Sequence, residues 1–392
     1  MFLGLKSSQY LILQALFLIC IISCDKKNFD VVQEKNNDSI KACCEKKPSR
    51  FASNDSVQTD SLADNINNSQ IKEISKSNNS ESNTGMVWVS GGEFIMGSNE
   101  SDAYDVEKPA HKVKVDGFWM DATEVTNEQF KKFTDATGYI TIAERVPDWN
   151  ELKKQLPPGT AAPNPKDLVA ASLVYIQPKN KVISTDDVSQ WWSWVPGANW
   201  RYPEGPASNI KDRMNFPVVH IAYDDALAYC KWSGKRLPTE AEWEFAAQNC
   251  MDEKRYAWGD ELRPGGKIMA NIWQGIFPNE NKKEDGYAGT SPVKSFPNNC
   301  YGLYDMIGNV WEWTSDWYDS QAYMKIPKNK VVSNPNGPEK SFDNEDAYSI
   351  KRVVKGGSFL CSENYCVNYR PSARRGQAFD SGTSNIGFRC VK

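Results

Sequence analysis

The chain has 392 residues and a formal net charge of −4, from 46 basic and 50 acidic side chains. This length allows one large domain or two of ordinary size, and the balanced charge argues against nucleic acid as a partner. Only two histidines occur, His111 and His220, which disfavours most zinc hydrolases, Ser–His–Asp enzymes and iron sites that need several histidine ligands.

Residues 1–24 are predicted to be a targeting segment. Lys6 gives a basic start, and the apolar stretch from Leu11 to Ile22 is too short to span a bilayer comfortably. The stretch ends in Ile-Ile-Ser-Cys, which resembles a bacterial lipobox, so we predict cleavage before Cys24 and lipid modification of that cysteine. A plain secretory signal or an uncleaved anchor is the alternative. Each version places the rest of the chain outside the cytoplasm, where disulfides persist.

Residues 25–85 are predicted to form a polar linker. The segment is rich in Asn, Ser, Lys and acidic residues, and its aromatic residues are Phe29 and Phe51. Such a composition buries too little apolar surface to offset the entropy of ordering the chain. The neighbouring Cys43 and Cys44 have no predicted role.

The composition changes at Met86, where we place the start of a single domain that ends at Lys392. Residues 86–98 alternate apolar and polar side chains up to a glycine-rich turn, a pattern that predicts a strand hairpin.

Helices are predicted at Thr126–Gly138, Asp224–Gly234 and Leu237–Gln248. In the first, Thr126 is the predicted N-cap and Gly138 the predicted stop. The last of these has a capping box formed by Thr239 and Glu242. The remaining apolar runs are short and separated by Gly, Pro, Asn and Asp. A few helices among long irregular segments predict an α+β domain that is rich in loops.

Two cysteines, Cys361 and Cys366, lie in the run GGSFLCSENYC and are close enough in sequence to face one site. From the residues alone, a short disulfide, a redox dithiol and a metal site all remain open. Two thiolates without a nearby histidine suit a soft ion such as Cu(I), whereas zinc needs two further ligands that this segment lacks. The spacing itself slightly favours a disulfide in an oxidising compartment.

Separate stretches that cover nearly all of residues 86–392 resemble the formylglycine-generating enzyme (sulfatase-modifying factor) family. They include FPVVHIAYDDALAYCKWSGKRLPTEAEWEFA, YGLYDMIGNVWEWTSDW and KGGSFLCSENYCVNYRPSARRGQAFDSGTSNIGFRC. The resemblance implies a single α+β domain similar to C-type lectins, with little regular secondary structure. It does not fix the activity, because the superfamily includes oxidases, iron-dependent sulfoxide synthases and proteins that bind without catalysis.

The resemblance implies a copper oxidase in which Cys361 and Cys366 bind Cu(I). The substrate's own cysteine would complete the site as a third thiolate, and dioxygen would oxidise that cysteine to formylglycine. The implied substrates are sulfatase polypeptides that carry a CxPxR motif. Ser358 matches an active-site serine of the family. Residues that match its substrate cleft are Tyr365, Arg370 and Asn385.

The chain departs from the family at two positions of this segment. Ser362 stands where histidine is common, so a histidine that tunes oxygen or proton transfer is absent, or water or Ser362 takes over its role. Pro371 replaces a family cysteine, so the disulfide of that cysteine is missing. Neither change removes the two copper thiolates.

The resemblance also implies a disulfide between Cys230 and Cys390 that fastens the C-terminus to the helix before KRLPTEAEW. In the loop-entropy model, a bond between such distant residues stabilises the domain by about 4–5 kcal/mol. Cys250 and Cys300 are left over in the domain, and we predict that they pair with each other.

Two calcium sites are implied in the same way. Carboxylate, amide and carbonyl oxygens suit a hard ion such as Ca²⁺, and Asp305 keeps an oxygen ligand where the family has Asn. The alternative is that these carboxylates cap turns without a metal. The first set of ligands is Asn271, Ile272, Asp285 and Tyr287, and the second is Asp305, Gly308, Val310 and Glu312.

The sequence therefore predicts a monomeric, extracytoplasmic, lipid-anchored oxidase that depends on copper and acts on sulfatases. The alternative is a surface lipoprotein of the same fold that binds partners or glycans without catalysis, with Cys361 and Cys366 joined in a disulfide. The two histidines are too few for a histidine-ligated iron sulfoxide synthase.

Overall fold

A computed structural model describes residues 83–156, 159–248, 254–327 and 330–392. The targeting segment, most of the linker, and Cys24, Cys43, Cys44 and Cys250 lie outside these ranges, so their predicted roles stay predictions. Among the described residues, no helix combines the length and the apolar character needed to cross a membrane.

The three predicted helices are confirmed, and the residues predicted to cap them do so. Thr126 accepts a hydrogen bond from the Gln129 N–H at the start of the first helix. Thr239 and Glu242 form the predicted capping box, with N–H to side-chain distances of 3.1 and 2.8 Å. The α-helices are α1 (Asn127–Thr137), α2 (Trp149–Leu152), α3 (Tyr223–Ser233) and α4 (Glu240–Ala247).

Short 3₁₀ turns and small sheets make up the rest of the regular structure, which confirms a loop-rich α+β domain. The 3₁₀ turns are Asp105–Glu107, Ile142–Glu144, Lys153–Gln155, Pro165–Asp167, Val188–Gln190, Pro264–Gly266 and Tyr323–Lys325. The first sheet pairs β1 (Met86–Val89) with β4 (Phe118–Asp121). In the second, β3 (His111–Val115) is the central strand between β2 (Gly92–Met96) and β8 (Val332–Ser333). The third pairs β5 (Ala171–Tyr175) with β6 (Trp192–Pro196). The fourth has the order β10 (Arg374–Ala378), β9 (Lys351–Lys355), β7 (Trp311–Trp317) and β11 (Ile386–Gly387).

The predicted hairpin of residues 86–98 is wrong. Both strands form, but β1 pairs with β4 and β2 pairs with β3. Gly91 and Gly92 between them have φ angles of 69° and 152°, and a Cβ atom on Gly91 would lie 2.5 Å from the Val115 carbonyl oxygen. The glycines thus let the chain cross closely over the end of β3, which sends the two strands into different sheets.

The fourth sheet is packed against α4 through charges that are completely buried. The Lys355 ammonium on β9 donates to Glu244 at 2.6 Å, and the Arg374 guanidinium on β10 donates to Glu240 at 2.6 Å. Buried charges are tolerated when they are paired and hydrogen-bonded. These pairs fix β9 and β10, and the segment between the two strands carries both cysteines of the predicted copper site.

Candidate active site

The two predicted copper ligands lie side by side. The Cys366 thiol donates a hydrogen bond to the Cys361 sulfur across 3.0 Å, and the side chains are only 5% and 1% exposed. Burial raises the pKa of the Cys361 thiol well above its usual range, and the contact with Cys366 raises it further. Both cysteines are free thiols in this structure.

Two glycines, Gly356 and Gly357, directly follow β9 and begin the segment that carries these thiols. Gly356 and Gly357 have φ angles of 92° and 73°. A Cβ atom on Gly356 would lie 2.8 Å from the Met306 carbonyl oxygen, and one on Gly357 would lie 2.9 Å from that of Asn368. Both positions therefore need a residue that tolerates the left-handed region and a close backbone contact.

The predicted catalytic serine and a predicted substrate residue are in direct contact. The Asn385 amide donates to Ser358 Oγ at 2.9 Å, and its oxygen accepts from Thr383 Oγ1 at 2.7 Å. The Ser358 carbonyl accepts from the Cys361 N–H at 2.9 Å. The structure thus brings Ser358, Asn385 and Cys361 together, although Asn385 comes from a different loop.

Aromatic rings form one wall beside the thiol loop. Tyr365 stacks on Phe277 with ring centres 4.2 Å apart and meets the edge of Trp191 at 5.9 Å. The backbone N–H of Trp273 donates to the Cys361 carbonyl at 2.9 Å. The predicted cleft residue Tyr365 is itself 6% exposed, so this wall shields one side of the loop from water.

Arg370 is engaged inside the protein. Its guanidinium donates to both carboxylate oxygens of Glu107, at 2.9 and 2.7 Å, and its Nε donates to the Val367 carbonyl at 2.9 Å. Although burial opposes ionisation, the charge and hydrogen bonds of Arg370 hold the pKa of Glu107 below its usual range. In this structure Arg370 braces the end of the thiol loop, and its contact with a substrate stays a prediction.

Three further cysteines of the domain, Cys230, Cys300 and Cys390, lie among the described residues. The sulfurs of Cys230 and Cys390 lie 3.1 Å apart as buried thiols, so they are neighbours, and their disulfide stays a prediction. Cys300 takes part in a disulfide, whereas Cys250, its predicted partner, lies outside the described residues.

The first predicted calcium set has ligands that converge. The Gln274 amide nitrogen donates to the Ile272 carbonyl and, at 2.8 Å, to the Asp285 carboxylate. The Tyr287 N–H donates to the other Asp285 oxygen at 2.9 Å. The Ile272 carbonyl oxygen and an Asp285 carboxylate oxygen therefore point toward one place, where the Gln274 amide nitrogen now lies. Oxygen ligands that converge in this way suit a small hard cation. The Asn271 amide nitrogen lies nearby, with bonds to Gly289 and Asn309.

The second predicted set fits calcium less simply. Both Glu312 oxygens accept hydrogen bonds from the Arg389 guanidinium at 2.7 Å, and one also accepts from Trp243 Nε1 at 2.8 Å. The negative charge of Glu312 is therefore already balanced by Arg389. Asp305 accepts from the Lys294 N–H at 2.7 Å, and burial raises the pKa of Asp305 to about 6. The other members, Gly308 and Val310, lie on the intervening loop.

Glu124 was not singled out from the sequence, yet it lies beside this second set. One carboxylate oxygen accepts from the Asn309 amide at 2.9 Å, while the other is buried without a hydrogen-bond partner among the described residues. Burial, with Asp305 and Glu312 nearby, raises the pKa of Glu124 well above its usual range. An orphaned buried carboxylate oxygen fits a site that takes a cation. No sequence pattern in residues 121–126 would have revealed it.

Comparison with known proteins settles the family. A family model described as "Sulfatase-modifying factor enzyme 1-like domain" matches residues 71–392. The chain belongs to this family. The formylglycine-generating enzyme of Mus musculus is 44% identical over 309 residues, 79% of this chain and 75% of the mouse protein. That of Mycobacterium tuberculosis is 46% identical over 308 residues, which cover 79% of this chain and 97% of the bacterial protein.

These relatives confirm the expectation of an enzyme of this family. The chain is also similar to a protein of Bos taurus named "Inactive C-alpha-formylglycine-generating enzyme 2", which is 38% identical over 309 residues, 78% of this chain and 85% of the bovine protein. The chemistry of this chain therefore has to be argued from its own site residues.

Proposed function

We propose that the chain is a copper-dependent oxidase that converts a cysteine in the CxPxR motif of sulfatase polypeptides to formylglycine with dioxygen. The observation that carries this proposal is the contact between the buried thiols of Cys361 and Cys366, 3.0 Å apart. Family relatives that are formylglycine-generating enzymes support the same function.

The donor set suits the proposed metal. Cys361 and Cys366 would hold the ion, since two thiolates are soft ligands that favour Cu(I). The nitrogens of both histidines contact other groups: His111 Nδ1 lies 3.0 Å from the Pro109 carbonyl, and His220 contacts Ser172 and Pro203. Bound copper would supply a redox centre at which dioxygen can react. Among the described residues, no cluster of three or more His, Cys, Asp or Glu side chains offers a competing site.

The chain's own residues orient the reacting groups and exclude water. Ser358 and Asn385 form a hydrogen-bonded pair beside Cys361 that can position a substrate thiol or oxygen. The wall of Tyr365, Phe277 and Trp191 keeps bulk water from the other side of the loop. The substrate cysteine would approach as the third thiolate.

Calcium is proposed as a structural ion that holds loops together. The convergence of Ile272 and Asp285 oxygens supports the first site, and the unpartnered oxygen of Glu124 supports a cation near Asp305 in the second. Removing calcium with a chelator should lower the melting temperature without removing copper. An unchanged melting temperature would refute the calcium proposal.

We also propose that the protein is monomeric and anchored outside the cytoplasm through a lipid on Cys24. The lipobox-like sequence before Cys24 supports this location. Metabolic labelling with a fatty acid should mark the wild type but not Cys24→Ala, and size-exclusion chromatography of the domain tests for a monomer.

The test of the oxidase proposal is direct. The purified domain, loaded with Cu(I) and given oxygen and a CxPxR peptide, should lower the peptide mass and create an aldehyde that reacts with a hydrazine probe. Cys361→Ser and Cys366→Ser should abolish both signals, while Cys230→Ser, which removes a buried thiol elsewhere, should retain them. An unchanged peptide with copper confirmed on the protein would refute the proposal.

The second candidate is a binding protein of the same fold, and the inactive bovine relative favours keeping it in view. It predicts that the domain binds no copper through its thiols and that Cys361→Ser leaves its function intact. Copper titration of the wild type against Cys361→Ala and Cys366→Ala separates the two candidates.

A further inference from the structure

His220 is completely buried and joins two segments that come from different parts of the chain. Its Nε2 lies 2.8 Å from the Pro203 carbonyl oxygen, and its Nδ1 lies 2.8 Å from Ser172 Oγ on β5. Burial lowers the pKa of His220 to about 4, so the ring is neutral at physiological pH. With both nitrogens engaged, the ring acts through hydrogen bonds and not as a charge.

Ser172 and His220 also contact the loop that carries Asn385. The Ser172 hydroxyl lies 2.9 Å from the Gly382 carbonyl oxygen as well as beside His220 Nδ1, and its single proton can be donated to either acceptor. The backbone N–H of His220 donates to the Thr383 carbonyl at 3.0 Å. The approach is so close that a Cβ atom on Gly382 would lie 2.3 Å from the His220 carbonyl carbon. The loop is therefore held by the Ser172 side chain and by the His220 backbone, and the His220 ring acts on it through Ser172.

This loop in turn holds Asn385 and Ser358 in place. Thr383 Oγ1 donates to the Asn385 side-chain oxygen at 2.7 Å, and the Asn385 amide then donates to Ser358 Oγ at 2.9 Å. An unbroken series of contacts thus runs from the Pro203 carbonyl through His220 to the serine beside the thiol pair.

The backbone of His220 supports a specific role for this residue. Its φ angle is 62°, in the left-handed region that is uncommon for residues other than Gly, although His, Asn and Asp adopt it more often than the rest. Such strain persists only where the surroundings hold it, and it is common near functional sites. Here the backbone N–H of His220 bonds the Thr383 carbonyl, which is one of the contacts that hold this conformation.

We propose that His220 and Ser172 are positioning residues, which hold residues 382–385 so that the Asn385 amide meets Ser358 beside the thiol pair. The inference rests on the proposed oxidase function, in which Ser358 and Asn385 orient the reacting groups. It also explains how β5 and the segment before α3, both distant in sequence from the thiol loop, contribute to the site.

A double-mutant cycle tests whether Ser172 acts through Asn385. Ser172→Ala removes only the hydroxyl, and we expect kcat for peptide conversion to fall about tenfold or more, with KM and copper affinity nearly unchanged, because small misplacements of orienting groups are costly. Asn385→Ala should also lower kcat. If Ser172 acts through Asn385, the double variant should be no slower than Asn385→Ala within about twofold. Fully additive losses would overturn the proposal.

Two substitutions of His220 separate its hydrogen bonds from its backbone. His220→Asn and His220→Gly both tolerate the left-handed backbone, but only Asn keeps a side-chain group that can bond Ser172. We expect the Asn variant to retain clearly more activity than the Gly variant. His111→Asn, at the other histidine of the chain, is the matched control and should behave as the wild type. Equal losses in both His220 variants would contradict a hydrogen-bonding role.

Hydrogen exchange provides a readout that does not depend on turnover. The Ser384 N–H donates to the Leu173 carbonyl at 3.0 Å, and the Ile386 N–H donates to the Thr383 carbonyl at 3.2 Å. In Ser172→Ala these two amides should exchange faster than in the wild type, while exchange in α4 stays the same. If the wild type makes no formylglycine, the oxidase proposal fails, and hydrogen exchange still tests whether Ser172 holds residues 382–385. Unchanged exchange of these amides in Ser172→Ala would overturn the positioning proposal.

Discussion

At the scale of single residues, burial governs how Cys361 and Cys366 would meet a metal. Burial favours the neutral thiol, and the contact with Cys366 adds to this effect at Cys361. A thiol must lose its proton before it binds a metal ion. The neutral thiol of Cys361 is therefore favoured in the absence of metal, and metal binding has to release its proton.

Copper affinity should consequently depend on pH. Because protons leave as Cu(I) binds, the apparent affinity should rise with pH, by about tenfold per pH unit for each proton released. Titration against a competing chelator at pH 6, 7 and 8 measures this slope. Cys230→Ser should leave the slope unchanged, since that thiol lies in the other cysteine pair. An affinity that does not change over this pH range would show that the thiols are already ionised.

Arg370 and Glu107 should behave as a buried ion pair, with side chains 3% and 0% exposed. Arg370→Met leaves the Glu107 carboxylate without its partner, and we expect the free energy of unfolding to fall by about 3–5 kcal/mol. Because the pKa of Glu107 is lowered in the folded state, the pair's contribution is present at neutral pH and is lost in acid as the carboxylate becomes protonated. Urea unfolding at pH 7 measures the loss.

The exposed pair of Arg213 and Glu204 provides the control for that substitution. Arg213→Met should cost less than about 1 kcal/mol, because exposed ion pairs contribute little. Combining Arg370→Met with Glu107→Gln should recover part of the stability, since no buried charge is then left alone. A small effect of Arg370→Met by itself would mean that Arg370 is free to serve a substrate.

At the scale of elements, the sequence predicted where helices and strands form, but it did not predict which strands pair with each other. The starts of α1 and α4 follow from Thr126 and Thr239, because a cap acts on N–H groups two or three residues away. The hairpin prediction failed because strand pairing depends on residues distant in sequence, such as Phe118–Asp121 for β1.

The residues of the candidate site also fall into two groups, those that the local sequence revealed and those that it did not. The two cysteines are close in sequence and could be found from their spacing. Glu107 and Glu124 could not, because each reaches the site region only through long-range contacts, with Arg370 and Asn309 respectively. Single-sequence patterns carry no information on such pairs. The likeness of the thiol segment to the family, and not the spacing alone, favoured copper over a disulfide.

The glycine pair after β9 offers a test at this scale. Gly356→Ala places a Cβ atom 2.8 Å from the Met306 carbonyl oxygen and also strains a backbone with φ of 92°. We expect a loss of stability well above about 1 kcal/mol and a lower copper affinity, since the segment that leads to the thiols has to shift. Thermal unfolding and copper titration measure the two effects.

Gly138→Ala is the matched control for that variant. Gly138 has a φ angle of 67° at the end of α1, but an added Cβ atom would meet no other described segment of the chain within 4 Å. The substitution should cost about 1 kcal/mol from backbone strain alone and leave copper binding unchanged. Equal losses in the two variants would show that strain, and not the contact with Met306, dominates at Gly356.

At the scale of the whole molecule, the last residues of the chain close the domain. The Asp121 N–H donates to the Cys390 carbonyl at 2.9 Å, and the Cys390 N–H donates to the Asp121 carboxylate at 3.2 Å. Val391 bridges to both Met120 and Arg236. The C-terminus thus joins β4, near the start of the domain, to the segment between α3 and α4.

The thiols of Cys230 and Cys390 lie at this junction, 3.1 Å apart, and oxidation there should stabilise the whole domain. A disulfide across so long a loop restricts the unfolded chain, and we expect the oxidised domain to gain about 4–5 kcal/mol over the reduced one. Urea unfolding with and without a thiol reductant measures the difference. In Cys390→Ser the reductant should still cleave the disulfide of Cys300, but its effect on the free energy of unfolding should be smaller than in the wild type by about 4–5 kcal/mol. A reductant effect of equal size in wild type and variant would place the stabilising bond elsewhere.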